Sequence, residues 1–151
     1  MNTKIRMFTI IGIILIGAAA LGACSSIVPN PASAGAPELP QLPAEQVVQE
    51  FYDWYITYPG HPIVSGAYAE HTHVGEELVK TVEKDREDGL MADPILCAQD
   101  VPSSITAGPA VIEGSTARVH VTTSWEGHSL NVELQPVGGE WKISKVICGA
   151  P

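Results

Sequence analysis

Positive charge is scarce in this chain. Its 151 residues carry 8 Lys and Arg against 17 Asp and Glu, a formal charge of −9. A surface of that sign repels phosphate backbones, so a nucleic-acid partner is not expected. The glycine patterns GxGxxG and GxxxxGK, which cradle nucleotide phosphates, do not occur. Neither HExxH nor a paired CxxC is present, which removes two familiar zinc signatures. No nucleophile elbow and no Ser-His-Asp arrangement is legible. Cysteine is sparse too, with only Cys24, Cys97 and Cys148.

What the chain does contain begins with Lys4 and Arg6, followed by an apolar run over residues 7–23 that fades into small residues. Its strongly apolar part is shorter than the roughly 20 residues a spanning helix needs. Charge, then apolar core, then small residues is the order of a secretory signal. The stretch Leu21-Gly22-Ala23-Cys24 resembles a bacterial lipobox. That resemblance implies lipidation of Cys24, cleavage before it, and attachment to the cell membrane on its extracytoplasmic side. Two or three acyl chains hold firmly where one holds only marginally. Residues 1–23 are thus expected to be the signal peptide. The remainder keeps six basic against 17 acidic residues, a formal charge of −11. Residues 24–43 carry Pro29, Pro31, Pro37, Pro40 and Pro43 and read as a disordered, semi-extended tether.

The pattern changes at Pro43, which suits the first position of a helix, with Glu45 in its first turn. Val47, Phe51, Trp54, Tyr55 and Tyr58 then recur on one helical face until Pro59-Gly60. Residues 59–73 read as loop. A second helix over about 74–87 is expected to bury Val74, Leu78 and Val82 and to end near Gly89. The segment 93–102, with proline near both ends, reads as a buried connector.

Beyond it the period becomes two. Val111-Ile112 closes a first strand in which Pro109 marks an edge or a bulge. Residues 116–125 alternate, with Ala117, Val119, Val121, Thr123 and Trp125 on one face. Leu130, Val132 and Leu134 alternate likewise. Gly138-Gly139 is a tight-hairpin signal, and residues 140–148 form the last strand. The expected class is α+β: two helices packed on a curved four-stranded antiparallel meander, spanning residues 44–151.

Two helices, an irregular connector and a meander closing on Gly139-Glu140-Trp141-Lys142-Ile143-Ser144-Lys145-Val146 resemble the nuclear transport factor 2-like fold, a cone of sheet around the first helix. The segment Val48-Gln49-Glu50-Phe51-Tyr52-Asp53-Trp54-Tyr55, the pair Asp93-Pro94 and Gln99-Asp100-Val101-Pro102 are similar to a family of uncharacterised bacterial extracytoplasmic lipoproteins of this shape. The resemblance implies a fold and no activity, since one fold hosts many functions.

With Cys24 lipidated, Cys97 and Cys148 remain, in a compartment where disulfides persist, and a bridge is expected. Two buried thiols acting as small hydrophobes are the other account. His71-Thr72-His73 with Glu76 and Glu77 reads as solvent-exposed loop histidines, and no metal or other cofactor is expected. The candidate pocket residues are Tyr52, Trp54, Tyr55, Asp93, Gln99 and Asp100, with Asp93 and Asp100 read first as turn and cap residues. The inward positions of the two clearest strands offer no Asp, Glu or His, so no catalytic residue is assigned. The expected role is non-catalytic, either binding a small apolar ligand or docking an envelope protein. The alternatives are a small hydrolase or isomerase using a Tyr or Asp in the cone, and a structural component of an envelope assembly.

Overall fold

The first helix begins where the chain loses a donor. Pro43 has no N–H to leave unpaired, and its carbonyl accepts the Gln46 and Val47 amides, both at 3.1 Å. In the computed structural model, residues 42–89 and 92–149 are described. The expected signal peptide, Cys24 and nearly all of the expected tether lie outside the described residues. Among the described residues, no helix is long and apolar enough to cross a membrane.

Helix α1 spans Ala44–Thr57, so Pro43 caps the helix instead of occupying its first position. Its buried face runs through Ala44, Val47, Val48, Phe51, Tyr52 and Tyr55. The stripe of aromatics is therefore rotated from the expected one. Tyr52 and Val48 point inward, while Trp54 and Tyr58 sit half-buried at the margin. The expected loop after α1 holds a short helix α2, Pro62–Ser65, and a 3₁₀ turn, Ala67–Glu70. That turn buries Tyr68 completely and donates its phenol to Glu83 at 2.6 Å. Helix α3 covers Glu76–Glu87 and buries Leu78 and Val82. Val74 instead forms an isolated parallel bridge to Ile143, so the helix starts two residues later than its spacing suggests.

Strands β1 (Ile105–Glu113), β2 (Thr116–Thr123), β3 (Ser129–Val137) and β4 (Glu140–Cys148) form an antiparallel sheet in sequence order. β2 stops at Thr123, and Trp125 leaves the expected strand to pack edge-on against His128 in the turn. Both edge strands are involved in irregular pairing. The register shifts between Ala107 and Ala110 around Gly108-Pro109. It shifts again between Glu133 and Leu134, which makes room for the buried Ser144. Ser144 Oγ donates to the Glu133 carbonyl at 3.1 Å, which satisfies its burial.

The helices cover one face of the sheet, α1 against β1 and β2, and α3 against β4. Between them Ala117, Val119, Val121, Leu130, Val132, Leu134, Trp141 and Ile143 meet the buried side of α1. This interface is filled by side chains, and the loss of any one would leave a cavity.

Candidate functional site

Three of the candidate residues come together on one turn. Asp93 begins it, and its backbone bridges Ala98, with the Asp93 amide donating to the Ala98 carbonyl at 2.8 Å. Asp93 Oδ1 accepts the Ile95 and Leu96 amides at 2.8 and 3.1 Å, an aspartate folding the backbone that follows it. Its other oxygen, Oδ2, accepts the Tyr55 phenol at 2.7 Å. One turn of helix away, Tyr52 donates to the Ile95 carbonyl at 2.9 Å. The spacing of three places both phenols on the α1 face that meets this turn.

The electrostatics of the pair oppose proton transfer. Burial, and then the negative Asp93 carboxylate, push both phenols far above the ordinary tyrosine value. Each phenol also has a fixed acceptor. A general acid or base works best with a pKa near the working pH, and these groups are displaced away from it. Tyr52, Tyr55 and Asp93 form a latch between α1 and the connector.

The same turn carries Cys97, whose backbone adopts φ 55, a left-handed conformation uncommon outside glycine. Cys97 and Cys148 form a disulfide with their Cα atoms 5.4 Å apart. His128 Nε2 lies 3.3 Å from the Cys97 carbonyl, and its Nδ1 lies 3.1 Å from Thr123 Oγ1. The connector is thus tied to α1 by two phenols, to the β2–β3 turn by a histidine and to β4 by a covalent bond.

Of the other candidates, Gln99 lies near this turn. Gln99 shares a surface hollow of about 330 Å³ with His61, Ile63, Val64, Arg86, Asp93 and Pro94. Asp100 is exposed. Trp54 belongs to a different cluster, its ring 4.3 Å from His71 and 5.2 Å from Tyr58. His71 is half-buried against Trp54 and Phe51, not in solvent as the loop composition suggests. Burial, followed by the nearby His73 and Lys142, lowers its pKa. The His71 and His73 rings are 5.3 Å apart, and His73 Nε2 turns instead to Glu50 at 3.2 Å. Among the described residues, no group of three His, Cys, Asp or Glu converges on a point.

A larger hollow, of about 650 Å³, opens beside His73 and the β3–β4 turn. Leu42, Val47 and Trp141 make its apolar floor, and Thr72, His73 and Glu140 its polar wall. Lys142 donates to Glu140 at 2.6 Å and holds that carboxyl below the usual range.

Gln49 stands in the segment that carries the family resemblance, but its sequence context points to no role. Gln49 sits on the α1 margin and reaches the outer edge of β1, where its Nε2 donates to the Ile105 carbonyl at 3.1 Å. Its Oε1 accepts the Ala107 amide at 2.9 Å. The carboxamide pairs with β1 as a neighbouring strand would. A lone glutamine on a helix carries no sequence signal for that role.

No family model matches the chain, and no curated protein matches it. In three dimensions it is similar to a chain in the crystal structure of the type VI native effector-immunity complex Tae3-Tai3 from Ralstonia pickettii. The TM-score is 0.56 at 22% identity, covering 73% of this chain and 98% of that one. At that identity the likeness establishes the fold: an α+β domain with a four-stranded antiparallel sheet and its helices on one face.

Proposed function

We propose that the chain is a lipid-anchored extracytoplasmic protein whose nuclear transport factor 2-like domain docks a protein partner. The observation that carries this reading is the filled interior. Phe51, Tyr52 and Tyr68 are fully buried among the strand residues, so the place where this fold would hold a ligand is occupied by its own side chains. Recognition is left to the surface. The outer sheet face, with Arg118, His120, Thr122 and Asn131, is polar, and none of the described helices covers it. The chain of like fold from Ralstonia pickettii belongs to a complex of two proteins, an effector and its immunity protein. That use of the fold agrees with a docking role here. The lipobox would hold the domain at the membrane, and its strong negative charge favours a basic partner.

One observation favours a second reading. The 650 Å³ hollow floored by Leu42, Val47 and Trp141 has the size and mixed lining of a small-ligand site. The two readings separate by experiment. A photo-crosslinking amino acid at His120 of the full chain, expressed in its own cells, should yield a discrete adduct with one protein. Native mass spectrometry of the gently purified chain should then show no retained small molecule. A retained amphiphile without any crosslink would overturn the docking reading in favour of the hollow.

A further inference from the structure

The two edges of the sheet are finished differently. At β4 the edge is covered by backbone. Ile143 donates to the His73 carbonyl at 2.7 Å, Gly75 donates to the Ile143 carbonyl at 2.9 Å, and Val74 bridges in parallel between them. Among the described residues, no strand lies on the outer side of β1. Gln49 occupies the first part of that edge through Ile105 and Ala107. Gly108-Pro109 follows, where the bulge breaks the register and Pro109 has no N–H to offer.

What remains is Ala110–Glu113, paired with β2 through Val119, Arg118, Ala117 and Thr116 on the inner side alone. Every second N–H and C=O along it faces outward. Val111 is 58% exposed and Ile112 42%, two adjacent members of the small set of exposed large apolar residues among those described. Val111 stands opposite Arg118 on the outer face, and Ile112 opposite Ala117 on the inner face. A strand laid along this edge would therefore meet apolar contacts on both of its sides.

We infer that Ala110–Glu113 is a docking edge that takes an extended, basic segment of a partner protein as a fifth strand. This deepens the docking reading above and rests on it. Acidic groups border the edge, with Glu113 at its end and Asp53 beside Gln49, 2.8 Å from the Gln49 amide. The nearest cation, Arg118, is already engaged by Glu133 at 2.8 Å and lies 4.0 Å from Glu113. A second copy of this chain fits less well. It would bring the same negative charge. A basic partner gains from the charge and can extend its contact across the outer face beyond Arg118. Main-chain pairing would supply affinity, and Val111 and Ile112, on opposite faces, the preference for two successive apolar side chains beside them.

The test uses the full chain and the peptide acetyl-Lys-Lys-Val-Val-Val-Lys-Lys-amide, followed by amide chemical shifts. The expected result is dose-dependent shifts centred on Ala110–Glu113. They should be lost with an analogue N-methylated at alternate residues, which removes the pairing donors, and lost in Val111→Lys, whose exposed position leaves folding intact. Shifts centred elsewhere, no shifts, or equal binding of the N-methylated analogue would overturn the edge. A crosslinking amino acid at Val111 in cells separates this failure from that of the broader reading. A partner caught from His120 and not from Val111 refutes the edge while keeping the docking role. A partner caught from neither position refutes both.

Discussion

The edge at β4 and the edge at β1 solve the same problem with unequal means. An unpaired strand edge exposes a row of donors and acceptors that invites another chain. β4 is closed by the backbone of residues 73–75 at its middle and by the Cys97–Cys148 disulfide at its end. β1 is closed by one side chain, Gln49, at one end and is open past its bulge. Backbone and covalent closures are permanent on the timescale of binding. A side chain can rotate away, and an unpaired segment needs no opening at all. The difference marks β4 as the structural edge and β1 as the available one.

The strongest way to disturb this asymmetry is to cut the covalent closure. Cys97 and Cys148 are 51 residues apart, so reducing the bridge, or replacing both cysteines with serine, should cost about 4 kcal/mol in the chain-entropy account. Urea unfolding of oxidised and reduced protein measures it. A midpoint indifferent to reductant would show that the β4 side does not depend on the bridge.

The connector that carries Cys97 is held by the two phenols, and a Tyr52→Phe change isolates one of them. It removes the donor from the buried Ile95 carbonyl and should cost about 1–3 kcal/mol. The alkaline limb of stability reports the same latch. Burial and Asp93 raise the Tyr52 and Tyr55 pKa values above the unfolded value near 10. The folded state therefore keeps protons that the unfolded state releases. Their contribution is complete below pH 10 and is lost as pH rises beyond it. Absorbance at phenolate wavelengths should show three tyrosines, Tyr52 and Tyr55 of the latch and the buried Tyr68, titrating only together with unfolding. Independent titration of all tyrosines in the folded protein would remove the latch from the account.

On the β1 side the expected effect is smaller. Gln49→Ala deletes two part-buried hydrogen bonds and should cost about 1–2 kcal/mol, with faster exchange of the Ala107 amide. If stability fell while Ala107 exchange stayed unchanged, the glutamine would be acting within α1 and not as a cover for the edge.

Much of this architecture was legible in sequence because period reports burial directly. The alternation of Ala117, Val119 and Val121 and of Leu130, Val132 and Leu134 became the buried sheet face. Pro109 marked both an edge and a bulge, since a residue without N–H fits only there. The rotation of α1 was harder to read. Counting aromatics favoured Trp54, whereas Tyr52 is fully buried because its phenol finds the Ile95 carbonyl, 43 residues away in sequence. The six candidate pocket residues scattered for a related reason. Tyr52, Tyr55 and Asp93 are joined by a turn, Gln99 lines a neighbouring surface hollow, Asp100 faces solvent and Trp54 packs on His71. Long-range partners of this kind leave no periodic trace. Gln49 left none either, since pairing its amide with β1 requires knowing where the strand lies.

The most direct test of unequal edges is native-state hydrogen exchange, read amide by amide. Gly75 and Ile143 should exchange only through global unfolding, Ala107 through a smaller local opening, and alternate amides of Ala110–Glu113 fastest of the four. Equal protection along β1 and β4 would contradict the account.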